Sequence, residues 1–218
     1  NEGDHLMNRC QCKGVEMMFN QKSAVRELKQ YRRKGPKRTT QMLIDALKTE
    51  GIEGMTLLDI GGGVGAIQHE LLSAGVRSAA NVDASAAYVA VAKEEAERRG
   101  HAGLVSYYHG DFIQLAPEIA PADIVTLDRV ICCYDDMQAL VGLSSARARN
   151  LYGLVYPRDT WWMKIRVAIE NFVYRLVRNP FRSFVHPTEQ VDAVVRSSGL
   201  RRRLHLKTFL WQVVVYAR

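Results

Sequence analysis

The chain has 218 residues, of which 47% are apolar and 24% charged. These values predict one globular domain with a sizeable core. No apolar run reaches the roughly 18 residues of a membrane span and no signal-peptide pattern opens the chain, so we expect a cytoplasmic protein. The formal charge of +7 is concentrated in residues 22–38, 164–182 and 201–203. Such clusters favour anionic small molecules, membrane surfaces or nucleic acid, and the alternative is a set of solvated helix faces.

The four cysteines do not form the pattern of a disulfide framework or of a zinc site. They occur as Cys10 and Cys12 and as the adjacent pair Cys132 and Cys133. Without a C-x-x-C pair or a flanking histidine, a soft-metal or metalloid site is the weaker interpretation. We therefore predict no metal site, and we expect the second pair to be buried and inert.

The N-terminal part of the chain predicts two helices. Residues 15–33 form a basic helical pattern that ends at Gly35-Pro36. Thr39 or Thr40 is then predicted to cap a second helix that extends to about Thr49. We divide the chain into a basic helical segment, 1–38, and a larger domain, 39–218.

Strands and helices alternate beyond residue 50, which predicts an α/β fold with a doubly wound parallel sheet. The predicted strands are Met55–Ile60, Arg77–Asp83, Val105–Gly110, Asp123–Leu127 and Leu151–Tyr156. The predicted helices are Ala66–Ala74, Ala86–Arg99, Met137–Arg149 and Thr188–Ser198. Two alternating apolar segments, Arg202–Lys207 and Phe209–Tyr216, are expected to pair as antiparallel strands at the end of the chain.

Residues 160–178 interrupt this alternation of strands and helices with one amphipathic stretch. Its apolar residues share one helical face: Trp161, Ile165, Ala168, Ile169, Phe172, Val173, Leu176 and Val177. The stretch fits a helix packed on the core, a cap over a substrate, or a helix lying on a membrane surface. If it is a cap, it extends to about residue 186.

The segment from Leu57 to Gly65 predicts a nucleotide-type ligand site. A strand carries Asp59 and is followed by Gly61, Gly63 and Gly65, and Asp83 lies 22 residues after Gly61. This spacing alone allows a dinucleotide, because the acid at the end of the second strand commonly binds ribose hydroxyls. The acid before the glycines and the pair Asp111-Phe112 favour S-adenosylmethionine (SAM) instead.

With these motifs the chain resembles class I SAM-dependent methyltransferases over roughly residues 40–218. The resemblance implies a Rossmann-like seven-stranded sheet with an antiparallel last strand, an N-terminal helical lid and a helical insert after the fifth strand. It implies SAM as cofactor and S-adenosylhomocysteine (SAH) as product. The implied cofactor-binding residues are Asp59, Gly61, Gly63, Gly65, Asp83, Ala84, Asp111, Phe112 and Asp128.

Four segments are similar to magnesium protoporphyrin IX O-methyltransferases: residues 19–35, 127–134, 184–187 and 206–209. That family methylates a propionate carboxylate, and its lead helix folds over the cofactor. Where it has a histidine after the fourth strand, this chain has Cys133. The resemblance implies O-methylation of an anionic or aromatic small molecule, with Tyr31, Asp128 and His186 as catalytic candidates.

Three alternatives remain at this point. The basic clusters allow nucleic-acid methylation, although the Asn-Pro-Pro-aromatic loop of base methyltransferases is missing after the fourth strand. A SAM-binding protein without catalytic activity and an NAD enzyme are the others. The sequence also allows peripheral membrane contact, and it predicts no oligomeric state.

Overall fold

The protein is described by a computed structural model that covers residues 14–218. It contains one seven-stranded sheet with the order β3-β2-β1-β4-β5-β7-β6. The strands are β1 (Thr56–Ile60), β2 (Ser78–Asp83), β3 (Val105–His109), β4 (Ala122–Asp128), β5 (Ala148–Pro157), β6 (Arg201–Lys207) and β7 (Trp211–Ala217). Strands β1 to β5 are parallel, and β7 is antiparallel to both β5 and β6. The predicted Rossmann-like methyltransferase fold is therefore confirmed.

Helices cover both faces of the sheet. They are α1 (Gln21–Lys34), α2 (Arg38–Lys48), α3 (Ala66–Leu72), α4 (Ala86–Arg99), α5 (Phe112–Leu115), α6 (Met137–Ala146), α7 (Trp161–Leu176) and α8 (Thr188–Ser197). Neighbouring strand residues belong to opposite cores: Leu57 packs in the cluster with α2 and α3, whereas Leu58 packs in the cluster with α6 and α8. The central strands are buried on both faces, which explains their continuous apolar runs.

The N-terminal helices differ from the prediction in two places. The predicted helix 15–33 is interrupted at residues 19 and 20. Residues 14–18 form a short helix of their own, and α1 begins at Gln21. Asn20 caps α1 because its side chain accepts a hydrogen bond from the Ser23 N–H at 3.2 Å. The expected threonine cap of α2 is also wrong, since Lys37 is the N-cap residue. The threonine hydroxyls face the end of β4 instead.

Helix α7 forms where the amphipathic stretch predicts it, but the apolar face does not pack on the core. Met163 and Val167 are the buried residues of this helix, and Trp161, Ile165, Ile169, Phe172, Val173 and Leu176 are exposed. The core-packed interpretation of that face is therefore wrong.

No helix in residues 14–218 is both long enough and apolar enough to cross a membrane.

Helix α1 is attached to α4 through a buried carboxylate. Glu95 is completely buried and accepts hydrogen bonds from Arg32 at 2.8 Å, Arg98 at 2.6 Å and Arg99 at 2.8 Å. Burial alone would raise the pKa of Glu95, but the three guanidinium groups outweigh it and hold this pKa well below its usual range. Arg32 thus joins α1 to α4, the helix that follows β2.

We expect Glu95→Gln to lower the free energy of unfolding at pH 7 by about 1–2 kcal/mol, because the guanidinium groups are still partly hydrated. The folded-state pKa of Glu95 is depressed, so its stabilisation exists above the unfolded pKa of about 4.3 and is lost as the pH falls below it. Urea unfolding of both proteins between pH 3 and 8 measures this loss.

The matched control is Glu94→Gln. Glu94 also accepts from Arg32, at 2.9 Å, but it is 63% exposed. We expect the Glu94→Gln substitution to change the free energy of unfolding by less than about 0.5 kcal/mol. Equal losses in the two variants would contradict the role given to Glu95.

Candidate functional site

A cavity of about 360 Å³ lies at the carboxyl ends of β1, β2 and β4. In an open α/β sheet this is the edge at which ligands bind. The predicted cofactor residues that line the cavity are Asp59, Gly61, Gly63, Asp83, Ala84, Phe112 and Asp128. Gly65 and Asp111 are not among its lining residues.

The glycine turn brings the backbone to the cavity wall. Gly61 and Gly63 have φ values of 65° and 57°, in the left-handed region. A β-carbon at Gly61 would overlap the Val130 side chain. The N–H of Gly63 donates to Asp83 Oδ2 at 3.0 Å, which joins the turn to the end of β2. Gly65 instead begins α3 and packs against that helix.

Asp59 is buried beneath this turn. Its Oδ1 accepts from the Thr126 hydroxyl at 2.7 Å, and its Oδ2 has no hydrogen-bond partner among the described residues. The pKa of Asp59 is raised to about 7: burial is the largest cause, the Thr126 hydrogen bond opposes it, and the charges of Asp128 and Asp83 add to it. The carboxylate therefore lacks a positive counterpart.

Asp128, at the end of β4, is likewise a carboxylate with one oxygen bonded to a threonine hydroxyl and one oxygen without a partner within residues 14–218. Its Oδ2 accepts from the Thr40 hydroxyl at 2.5 Å and lies 3.5 Å from the Arg129 guanidinium, while no partner is found for Oδ1 in the described part of the chain. Burial raises the pKa of Asp128, and Arg129 opposes the shift. Burial likewise raises the pKa of Asp83, against hydrogen bonds from the Ser85 and Gly63 N–H groups.

These three carboxylates fit a ligand with positive charge and hydroxyl groups. The unpartnered oxygens of Asp59 and Asp128 need a cation or a hydrogen-bond donor, because a buried polar atom without a partner is costly. Asp83 keeps acceptor capacity after its two backbone hydrogen bonds. SAM offers an ammonium group, a sulfonium group and ribose hydroxyls, so the residues present match it.

Asp111 and Phe112 lie at the entrance to α5. Asp111 is the N-cap, and its Oδ1 accepts from the Ile113 N–H at 3.0 Å and from the Tyr134 hydroxyl at 2.8 Å. Phe112 is buried and lines the cavity. The structure thus gives Asp111 a capping function, and its contact with adenine stays a prediction.

The structure brings two of the three catalytic candidates to the cavity. Tyr31 lines it, but its hydroxyl donates to Glu70 Oε1 at 2.8 Å, and burial together with this carboxylate raises the Tyr31 pKa strongly. Asp128 also lines it, and its buried Oδ1 has no hydrogen-bond partner among the described residues. His186 is not a lining residue: its Nε2 is 2.8 Å from the Tyr134 carbonyl oxygen, and burial lowers its pKa.

Several lining residues were not found from the sequence, and they belong to two segments that cover the cavity. We call these segments the lid: residues 14–34 and residues 160–186. Phe19 from the first segment contacts Phe181 from the second with ring centroids 6.0 Å apart, and Phe181 contacts Tyr174 at 5.7 Å. Glu170 also lines the cavity, and its Oε1 accepts from the Tyr174 hydroxyl at 2.6 Å. The Glu170-x-x-x-Tyr174 spacing on the polar face of α7 was the available signal.

Cys132 and Cys133 line the cavity as well. The adjacent Cys132 and burial raise the pKa of Cys133 well above its ordinary value, so this thiol stays neutral. Cys10 and Cys12 lie outside the described residues. Within those residues, no group of three or more histidine, cysteine or acidic side chains is placed to hold a metal ion.

The comparisons with known proteins agree with this geometry. Residues 58–147 match the family described as a methyltransferase domain. No curated protein is significantly similar to the chain in sequence.

Among solved structures, magnesium protoporphyrin IX methyltransferase (ChlM) from Synechocystis PCC 6803 with bound SAH superimposes with a TM-score of 0.66 at 18% identity, over 83% of each chain. The same protein with bound SAM gives 0.62 at 16% identity, over 83% of this chain and 80% of that one. An O-methyltransferase family protein from Burkholderia thailandensis gives 0.70 at 16% identity, over 94% of this chain and 62% of that one. Residues 58–147 thus match a methyltransferase domain, as predicted, and these neighbours share the predicted fold.

Asp59 makes SAM binding pH-dependent if its carboxylate faces the positive charges of the cofactor. Because its pKa is about 7, we expect affinity to rise roughly tenfold from pH 5.5 to pH 7 and to level off above, as the carboxylate ionises. Calorimetric titration with SAM measures this. Asp59→Asn is expected to bind SAM more weakly at pH 8 and to lose the pH dependence, whereas the exposed Asp135→Asn keeps it. A wild-type affinity that is constant from pH 5.5 to 8 would contradict the assignment.

Proposed function

We propose that this SAM-dependent methyltransferase transfers the methyl group to an oxygen atom of a small acceptor that is aromatic or anionic. The observation that carries the proposal is the composition of the cavity. Its floor is the glycine turn with the acidic residues, and its roof is the lid with Tyr174 and Phe181. A covered space next to the cofactor residues suits a small molecule.

The covered cavity favours a small molecule over nucleic acid. The two lid segments pack closely, since a β-carbon at Gly14 would lie 2.5 Å from the Phe181 backbone nitrogen. The two cations that line the cavity, Lys37 and Arg129, are already paired with Glu27 and Asp128. The basic residues 201–203 lie on β6, at the edge of the sheet, and do not line the cavity. A polymer of phosphates needs an open basic surface at the site.

The chain's own residues position the two substrates. When bound, SAM supplies a methyl group on a sulfonium, which is attacked in line with the breaking carbon–sulfur bond. Gly63 and Asp83 would hold the ribose end, and Asp59 and Asp128 would face the positive charges. The lid excludes water and fixes the acceptor, and such positioning supplies much of the rate gain of a two-substrate reaction.

The acceptor side combines aromatic surface with one guanidinium group. Arg129 lies over the Trp211 ring, 5.2 Å from its centroid, and donates to the Thr39 hydroxyl at 2.5 Å. Its φ of 62° is unusual for a residue other than glycine, and such strain is often kept at functional sites. Arg129 therefore offers an anionic acceptor its remaining N–H donors, and Trp211 offers an aromatic one a flat surface.

A phenol must lose a proton to react, whereas a carboxylate is already ionised and needs no base. Asp128 is the catalytic candidate suited to take that proton, because it lines the cavity and burial raises its pKa. Tyr31 donates a hydrogen bond to Glu70 and keeps its proton, because its pKa is strongly raised, so it is better suited to holding the lid.

Turnover on a defined acceptor panel tests the proposal. The purified chain is incubated with SAM and with aromatic carboxylates, phenols, a magnesium porphyrin, amines, RNA or DNA, and SAH formation is measured. Methylated products are identified by mass spectrometry and treated with alkali, which cleaves a methyl ester but not an aryl methyl ether. Ester or ether products support the proposal. Methylation of nitrogen or nucleic acid alone, or tight SAM binding without SAH formation on any acceptor, overturns it.

We expect Asp128→Asn to lower kcat for a phenolic acceptor about 100-fold, the usual size of a lost general base. For a carboxylate acceptor we expect a loss of less than about fivefold, because no proton is removed. Tyr31→Phe is the control: it removes a hydroxyl that faces Glu70, and kcat is expected to change by less than about threefold. SAM affinity is measured for each variant, so that weaker cofactor binding is separated from slower transfer. A 100-fold loss in Tyr31→Phe would contradict the assignment.

A further inference from the structure

Helix α7 presents an apolar stripe to solvent. Trp161 is 70% exposed, Phe172 60% and Leu176 66%, and Ile165 and Ile169 lie between them on the same face. Residues at these spacings share one side of a helix. The helix has 16 residues and is therefore about 24 Å long. A contiguous apolar surface of this kind marks an interaction site.

Aromatic side chains extend the stripe beyond the helix. Phe209, in the turn between β6 and β7, is 74% exposed, and its ring stacks on Trp162 with centroids 6.1 Å apart. Trp162 in turn contacts Trp161 at 5.8 Å. We call the exposed residues the outer patch: Trp161, Ile165, Ile169, Phe172, Val173, Leu176, Val177 and Phe209.

Basic side chains flank the outer patch on both sides. At 100° per residue, Lys164 and Arg175 fall at one edge of the stripe and Arg166 at the other. All three are exposed, and none forms an ion pair within residues 14–218. The acidic residue of α7, Glu170, faces the cavity and accepts from Tyr174. The outer face therefore combines aromatic and aliphatic groups with unneutralised positive charge.

From this arrangement we infer that α7 docks the protein on an anionic lipid bilayer, with the outer patch in the interface and the basic side chains on the headgroups. Helices that lie in a membrane interface combine Trp, Phe and Leu on one face with Lys and Arg beside it. Anionic headgroups supply the negative charge that the flanks lack. A second copy of the chain fits less well: in a two-fold dimer the stripe packs against itself, and like charges meet at its edges.

Vesicle co-flotation of the whole chain tests this inference. We expect the protein to float with vesicles that contain phosphatidylglycerol and phosphatidylcholine, to bind pure phosphatidylcholine vesicles much more weakly, and to lose binding as salt is raised. Binding should shift the tryptophan emission to shorter wavelength. This shift should be strongly reduced in Trp161→Phe, since Trp161 is the tryptophan in the patch.

Two double variants locate the surface. Ile169→Ser with Phe172→Ser removes apolar contacts, and Lys164→Glu with Arg175→Glu reverses the flanking charge; each is expected to lower vesicle binding about tenfold or more. The matched controls are Leu104→Ser, an exposed leucine elsewhere, and Arg201→Glu with Arg203→Glu, an equal charge change at the sheet edge; both are expected to keep binding. Thermal unfolding and SAM titration confirm that every variant is folded.

Three results would overturn the inference. One is a wild-type chain that does not float with anionic vesicles. Another is binding that the patch variants retain or that the sheet-edge variant loses. The third is a dimer in light scattering that Phe172→Ser converts to a monomer, because a second copy then covers the patch. None of these measurements depends on the acceptor, so the inference stands or falls separately from the proposed reaction.

Discussion

Three carboxylates that share one buried cavity set the main constraint on this molecule. Asp59, Asp83 and Asp128 come from three neighbouring strands, and their raised pKa values show that burial disfavours their ionised forms. Backbone N–H groups and two threonine hydroxyls satisfy part of their hydrogen-bonding capacity. The remainder suits a cation. This explains why three acidic residues lie together at the carboxyl edge of the sheet in a chain with a formal charge of +7.

The lid follows from the same constraint, because a charged ligand in a low-dielectric site gains most when water is kept out. The first lid segment is held by contacts to the domain: Ser85 Oγ donates to the Phe19 carbonyl oxygen at 2.6 Å, and the Tyr88 hydroxyl donates to Glu27 at 2.9 Å. The second segment closes on it through Phe181. Two parts of the chain that are more than 100 residues apart thus complete one wall.

Local patterns predicted most of the residues that line the cavity floor, and long-range contacts explain what they missed. The turn at Gly61–Gly65 and the acid Asp83 are encoded within a single strand-turn-helix unit, so their spacing is sufficient. Thr40 could not be assigned in this way, because its partner Asp128 is 88 residues away in the chain. Asn20 is a local N-cap signal, but the apolar periodicity continues across it and predicts an unbroken helix. For α7, the sequence periodicity predicts that apolar residues share one helical face, but not whether that face packs on the core or is exposed. In the structure it is exposed to solvent.

The attachments of the lid are numerous but individually weak. The exposed ion pair Arg32–Glu94 contributes about 0–1 kcal/mol, and an aromatic contact such as Phe19–Tyr88 about 0.5–1.5 kcal/mol. Arg32, near the C-terminal end of α1, bonds to the fully buried Glu95 of α4, whereas Phe19, before the other end of α1, contacts Ser85 and Tyr88. A segment that is anchored at one end and held by small contacts at the other suits opening for ligand exchange and closing for transfer. Helix α7 forms the facing part of the lid: its outer patch is exposed, while Glu170 and Tyr174 on the same helix line the cavity.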